Sequence, residues 1–437
     1  MKIYAKELGN HLNNEITFSG FIDRIRDLSN VQFVILRDNT GKVQVTVEKN
    51  DNNFKLNEII SNLTEESTVK ITGLLQENEY VKAGGMEIIP SAIEVLSFAE
   101  AIIPSDFKKK KESNSNLKNE NRFLDLRSEK NNLIFKISTI LEKSLRDHVI
   151  QKDFTEIHSP RLTPKSAESG AEVFNVDYFG YNATLSQSPQ FYKQMAMASG
   201  MDKVFEIGPA FRAEKSHTKF HAAEINMADV EVSWIDGIQE IENLEEEMLK
   251  YAIEQVYIKY GDDIKRVFGT EFVNIDSIAP RMSFQEAKDI IKTKYHYIGP
   301  RQDDFDRKEE FLLGKFALEI YKSSLLFVES YPFSARPFYH MLDESGLTKS
   351  YDLLFKGVEI TTGAQREHRH DILLKQICEK GINPAELEFY INFFKKGCPP
   401  HGGFAIGIQR LIMQLLNLNN IAEATFIYRE PNTQMKL

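Results

Sequence analysis

Four side chains on one stretch could do chemistry together: Arg212 and Glu214 in Phe211-Arg-Ala-Glu214, and Asp229 and Glu231 in Asp229-Val-Glu231. An arginine fork grips phosphate, and carboxylates hold an amino group. The elements that would position them are two strands and a loop. Val204 to Gly208 is apolar and β-branched, as a strand should be. Lys215 to Ala223 is polar, with two histidines, and reads as the loop; Asn226 to Trp234 alternates as a returning strand. A hairpin of this kind places all four side chains around one surface. Arg-Ala-Glu on its own is better read as a surface hairpin with solvated charges, so its meaning depends on the rest of the chain.

The chain has 437 residues and a net charge of −10, with 42% hydrophobic and 27% charged residues, which suits two or three globular domains. No run of eighteen apolar residues offers a membrane span, and the start of the chain is no signal peptide, so a cytoplasmic protein is expected. Two cysteines, Cys378 and Cys398, make neither a disulfide framework nor a four-cysteine zinc site, and no zinc is expected. The first 104 residues carry ten Lys and Arg against fifteen Asp and Glu. Nucleic-acid binding there would need a local patch such as Arg24, Arg26, Arg37 and Lys42.

Residues 1–104 read as a small β domain. Ile16 to Ile25, Val31 to Arg37, Val43 to Glu48, Val69 to Leu75 and Met86 to Leu96 are strand-like, with a turn at Asp38 to Gly41 and a helix at Phe54 to Leu63. Five strands with a helix after the third predict an OB-fold β-barrel. Phe33, with Arg26 nearby and Gln44 on the next strand, would form a base-stacking platform for an anticodon; the alternative is a core phenylalanine. Residues 105–130, with Lys108 to Lys111 and a Ser/Asn-rich run, read as a linker. From residue 131 to 437 helices and strands alternate irregularly, predicting a mixed or antiparallel sheet flanked by helices, hence an α+β protein overall. Neither a Gly-x-Gly-x-x-Gly nor a Walker phosphate loop is present.

Four segments then fall into one order: Phe154 to Pro160, Phe211 to Glu231, Val358 to Arg366 and Gly403 to Arg410. Behind an OB-like domain, and with Arg122-Phe-Leu-Asp-Leu-Arg127 and Gly397-Cys-Pro-Pro-His-Gly402, this order resembles the aspartyl-tRNA synthetases of the archaeal/eukaryotic type, in class II, subclass IIb. The resemblance implies a class II catalytic domain in a homodimer contacting through Pro160. It implies ATP-dependent activation of L-aspartate and transfer to tRNA(Asp), with tRNA(Asn) left open as a second acceptor. ATP would meet Arg212, Ala213, Glu214, Phe220, His221, Ala222, Glu359, Gly407, Ile408, Gln409 and Arg410, with Arg212, Glu214 and Arg410 catalytic. Mg²⁺ would be held by Glu359 and Thr362. Aspartate would meet Glu168, Gln190, Phe191, Tyr192, Lys193, Arg212, Asp229, Thr362 and Arg366, the two cations Lys193 and Arg366 pairing its side-chain carboxylate.

Three positions depart from the pattern. Phe220 stands where the family has arginine, Gln409 where it has an acid, and Asp23 where relatives carry Trp or His. Two other readings are an asparaginyl-tRNA synthetase, which Lys193 disfavours, and a paralogue activating aspartate for another acceptor, which the barrel disfavours. A non-catalytic RNA-binding protein would have no need of Arg212, Glu359, Arg366 and Arg410 together.

Overall fold

The computed structural model describes residues 2–82, 84–100, 121–164, 172–213, 218–270, 273, 275 and 278–429. Glu168, Glu214 and most of the 105–130 linker lie outside them. The chain divides into two compact units, Met1–Leu133 and Ile134–Leu437. No helix among the described residues is long and apolar enough to cross a membrane.

In the first unit five strands close a barrel in the order β1-β2-β3-β5-β4. They are β1 (Glu15–Asp27), β2 (Val31–Arg37), β3 (Lys42–Glu48), β4 (Thr68–Glu77) and β5 (Met86–Ser97), with α1 (Phe54–Asn62) between β3 and β4. Alternation puts Val34, Leu36, Val43, Val45 and Val47 inside. Gln32 also points inward, and is satisfied by α1: its Nε2 donates to Ser61 Oγ (3.0 Å) and its Oε1 accepts from Asn57 Nδ2 (3.0 Å). The β2–β3 turn is set by Asp38, whose Oδ1 accepts from the backbone N–H of Thr40 (2.7 Å) and Gly41 (3.0 Å). At Gly73 a Cβ would stand 2.2 Å from the carbonyl oxygen of Ile89, so only glycine permits this crossing of β4 and β5.

The outer barrel face holds the expected platform residues together. Arg26 lies opposite Phe33, Phe33 opposite Thr46, and Gln44 donates to Thr46 Oγ1 (3.1 Å). The basic patch is weaker than its sequence suggests. Arg37 Nε (3.2 Å) and Lys42 Nζ (2.8 Å) both donate to Asp23, so two of its four cations already have anionic partners.

The second unit is built on an eight-stranded sheet of order β12-β13-β14-β15-β16-β11-β10-β6. Its strands are β6 (Thr155–Glu156), β10 (Lys203–Phe211), β11 (Glu224–Ser233), β12 (Arg281–Ser283), β13 (Leu325–Glu329), β14 (Ser350–Phe355), β15 (Val358–Arg366) and β16 (His401–Gly407). The six strands from β13 to β10 are antiparallel, while β12 with β13 and β6 with β10 pair in parallel. β7 (Leu162–Pro164), β8 (Asn175–Tyr178) and β9 (Tyr181–Leu185) form a separate small sheet. The predicted strand from Phe154 to Pro160 shrinks to two residues. The backbone N–H of Ser159 turns instead to the buried Glu206 carboxylate (3.2 Å).

The helices are α2 (Glu129–Ile150), α3 (Gln190–Ala198), α4 (Ile238–Phe268), α5 (Phe284–Tyr295), α6 (Arg307–Phe316), α7 (His370–Glu379), α8 (Glu388–Lys395) and α9 (Ile408–Leu415). Helix α4 packs on β15 and β16, burying Ile241, Met248, Leu249, Ile253 and Val256. Helix α6 is started by Asp306, whose Oδ1 accepts from the N–H of Lys308 and of Glu309 (both 2.8 Å), while Glu309 returns a bond to the N–H of Asp306 (2.9 Å).

Candidate active site

The hairpin expected at Arg212 is β10 and β11, closed by the N–H of Arg212 donating to Ala223 O (2.9 Å). Residues two apart on a strand share a face, so Asp229 and Glu231 point the same way. Register carries one row across the sheet: Glu206 pairs with Asp229, Asp229 with Ala405, Ala405 with Thr362, and Thr362 with Asp352. Ala405 and Gly403 on β16 leave that face low in the middle. At Gly403 a Cβ would stand 2.0 Å from Val230 O, so no side chain fits there.

An open cleft lies on this face. It is lined by Arg212, Phe220, His221, Ala222, Glu359, Thr362, Gly407, Gln409 and Arg410, among others. Arg410 stands at the head of α9. It donates from Nη1 to Glu359 O (3.1 Å) and from Nε to Phe220 O (3.3 Å), and it lies 3.7 Å from the Glu359 carboxylate. Burial alone would raise the Glu359 carboxyl, but Arg410, Arg336, Arg307 and Arg212 hold it below its ordinary value. Gln409 turns to β11, its Oε1 accepting from the N–H of Asn226 (2.9 Å); an amide oxygen suffices for that bond. Ile408 is buried behind the cleft, and the N–H of Ala213 donates to Glu172 O (3.1 Å).

Glu359 and Thr362 are three apart, which on a regular strand would send them to opposite faces. A bulge brings them together. Thr361 pairs with Leu353 and Glu359 with Leu354, leaving Ile360 extra. Thr362 Oγ1 then lies 3.2 Å from Glu359 Oε1 and donates to Asp352 Oδ1 (2.8 Å). This donor set is all oxygen, with two carboxyl groups crowded on one hydroxyl, and it fits a hard divalent cation. Burial, and then Glu359 against the opposing Arg336, raises the Asp352 carboxyl. Among the described residues no group of three or more His, Cys, Asp and Glu has the geometry of a metal centre.

Beside the cleft lies a buried ion cluster. Lys193 comes from α3, with Nζ 2.9 Å from Asp229 Oδ1 and 3.4 Å from Glu231 Oε2. Arg366 ends β15, donating from Nε to Glu231 Oε1 (3.0 Å), from Nη2 to Gly403 O (3.0 Å), and lying 3.2 Å through Nη1 from His340 Nε2. Burial would raise the Glu231 carboxyl, yet Arg366 and Lys193 hold it below its ordinary value. The two cations expected to face a substrate carboxylate therefore already share Glu231. Gln190 is one turn before Lys193 on α3, and its Nε2 has no partner among the described residues. Tyr192 is half-buried. Phe191 lies not in this cluster but in an aromatic core with Phe338, Phe389 and Tyr390.

Sequence reasoning did not single out Asp352, Glu310, Arg336 or Arg307, all next to Glu359. Asp352 carries no local signal, because β14 is buried on both faces and shows no alternation; Arg307 and Glu310 come from α6 and Arg336 from the segment after β13, which no spacing ties to Glu359.

Residues 114–429 match the family model for class II tRNA synthetases (D, K and N), and residues 16–96 that for the OB-fold nucleic acid binding domain. The chain is 38% identical over 430 residues to an aspartate–tRNA(Asp) ligase of Pyrococcus abyssi, covering 98% of each. It is 38% identical over 431 residues to an aspartate–tRNA(Asp/Asn) ligase of Thermus thermophilus, covering 98% and 99%. Among solved structures, asparaginyl-tRNA synthetase from Pyrococcus horikoshii, complexed with asparaginyl-adenylate, matches with a TM-score of 0.90 at 29% identity and covers 99% of each chain.

Proposed function

This chain belongs to the class II tRNA synthetases of the aspartate, lysine and asparagine group, and from that premise we propose that it is an aspartate–tRNA ligase. The observation that carries the reading is the placement of fully buried Lys193 and Arg366 beside the cleft lined by Arg212, Glu359 and Arg410. The aspartate α-carboxylate attacks the α-phosphate of ATP, pyrophosphate leaves, and a terminal ribose hydroxyl of tRNA then takes the aspartyl group with release of AMP. Neither step needs a protein nucleophile; both need alignment and charge neutralisation. Arg212 neutralises the α-phosphate, and Arg410 holds the far end of the triphosphate. Glu359 and Thr362, with Asp352 behind the threonine, are the residues that would hold Mg²⁺, which supplies charge neutralisation at the phosphates.

Aspartate recognition proceeds by exchange of ion-pair partners. The incoming ammonium takes Asp229, helped by Gln190. That frees Lys193 to join Arg366 on the side-chain carboxylate, so no buried charge is left alone. The anticodon bases stack on Phe33 between Arg26 and Gln44.

Aspartate-dependent exchange of labelled pyrophosphate into ATP tests the first step, and charging of tRNA(Asp) transcript the second. Absence of exchange would sink the reading. Acceptance of tRNA(Asn) as well is compatible with equal identity to relatives named for one and for both acceptors. A tRNA(Asn) transcript left uncharged removes it. A homodimer accounts for Phe179 and Tyr181 at the β8–β9 tip, 86% and 76% exposed, and for exposed Pro160. Light scattering giving a monomer mass would exclude it.

A further inference from the structure

We infer that Arg307 is a third guanidinium of the polyphosphate site, held over the cleft by the face of Phe220. The inference rests on the reading of the cleft as an ATP site and adds a residue to it. Arg307 is the first residue of α6, placed there by the Asp306 cap. Its guanidinium carbon lies 4.8 Å from the centre of the Phe220 ring. Phe220 lines the cleft, and its backbone oxygen accepts from Arg410 Nε (3.3 Å). Arg410 thus meets the backbone of Phe220, and Arg307 its ring. Arg307 Nη1 also donates to Glu310 Oε2 (2.7 Å), and Glu310 in turn accepts from the backbone N–H of Glu359 (3.2 Å). One residue therefore separates Arg307 from the carboxylate that Arg212 and Arg410 also face.

A plain helix ion pair between Arg307 and Glu310 does not account for this placement. Such a pair needs no aromatic ring and no cleft. A ring face attracts a guanidinium but accepts none of its in-plane N–H groups. Among the described residues Glu310 is the one hydrogen-bond partner of Arg307, which leaves most of its fork unused. Arg336 is different: its guanidinium lies over the Tyr331 ring, donates to Asp352 (2.7 Å), and leaves its side chain only 9% exposed. The side chain of Arg307 is 37% exposed and its stem is long enough to turn. The cleft also needs the charge. Glu310, Glu359 and Asp352 stand together at this end, and three carboxyls would repel a triphosphate unless guanidiniums outnumber them. Phe220 brings no charge to its loop, and Arg307 brings one from α6. The ligand class is the terminal phosphates of a nucleoside triphosphate, and free pyrophosphate in the reverse reaction.

The experiment compares Arg307→Ala with wild type in aspartate-dependent pyrophosphate exchange, with AMP as a competitive inhibitor lacking the terminal phosphates. The expected result is a rise of about tenfold in the KM for ATP and for pyrophosphate, the size of one charge-assisted contact. Aspartate KM and AMP inhibition stay within about twofold. Arg307→Lys, which keeps charge but loses the fork, falls between. Phe220→Arg added to Arg307→Ala returns a guanidinium from the loop side and recovers most of the ATP affinity. Unchanged ATP and pyrophosphate constants in Arg307→Ala overturn the inference, as does a matching loss for AMP, which means general distortion of the cleft. Exchange in wild type puts only Arg307 at stake; no exchange in wild type overturns the function and Arg307 together.

Discussion

Lys193→Met is the substitution that most directly separates architecture from recognition. Methionine keeps the unbranched stem and removes the charge. Lys193 is fully buried, 2.9 Å from Asp229 and 3.4 Å from Glu231. Removing one member of a buried ion pair strands the other, at a cost of about 3–5 kcal/mol. Glu231 keeps Arg366 at 3.0 Å, so most of that cost falls on Asp229. The fall in melting temperature should then be largely reversed in a Lys193→Met, Asp229→Asn double variant, which serves for the melting measurement alone. Recognition is read in the single variant. If Lys193 pairs the substrate carboxylate once Asp229 has turned to the ammonium, its loss removes about 2–4 kcal/mol of binding. At about 1.4 kcal/mol per decade this is roughly thirtyfold to several hundredfold in aspartate KM. The KM for ATP should move little, and the preference for aspartate over asparagine should shrink by the same factor. A folded Lys193→Met enzyme with aspartate KM within about twofold of wild type would refute the exchange of partners.

Three further outcomes are expected. Arg212→Ala should slow adenylate formation at least about a hundredfold in single-turnover measurements, by comparison with loss of one preorganised donor at a developing charge, without a matching fall in melting temperature. Phe33→Ala should raise the KM for tRNA by about five- to a hundredfold, the loss of one stacked base, and leave aspartate-dependent pyrophosphate exchange unchanged; equal loss in both assays would make Phe33 a structural residue. Glu245 on α4 is fully buried, accepts from Tyr351 Oη (2.6 Å), and is pushed up to about 8 by burial. Folding therefore binds a proton between the ordinary carboxyl value and about pH 8, and this group's contribution to stability falls as pH rises through that window. Glu245→Gln keeps the acceptor for Tyr351 and removes the titrating carboxyl, so its melting temperature should fall less than wild type's between about pH 5 and about pH 9.

The barrel was legible because each strand has one wet face, so Val43, Val45 and Val47 alternate with outward residues and announce the inside. The sheet of the second unit was less so. β14 is covered on both sides and its Ser-Tyr-Asp-Leu-Leu-Phe carries no period, and α3 is read as a helix only when Phe191 and Met197 are seen to be buried around it. The four arginines around Glu359 are visible as residue types, but their convergence is not. Arg307 reaches the cleft from a helix some ninety residues downstream of Phe220, and no spacing rule connects them. Glu359 and Thr362 face the same way only because Ile360 is extra, and a bulge of this kind leaves no composition signature.

The choice of amino acid also lies below the level at which the fold is decided. A TM-score of 0.90 to an asparaginyl-tRNA synthetase means that strand order and helix placement do not separate the two substrates. On the exchange of ion-pair partners proposed above, charge balance does. Before a ligand enters, the buried cluster holds Lys193 and Arg366 against Asp229 and Glu231, and is neutral. Aspartate brings an ammonium and a side-chain carboxylate to this end, and the cluster is neutral again. Asparagine brings the ammonium with an uncharged amide, so one cation is left in a dry site without an anion. An uncompensated buried charge costs several kcal/mol, more than any contact the amide could add, and on that proposal the difference selects aspartate without any change in backbone.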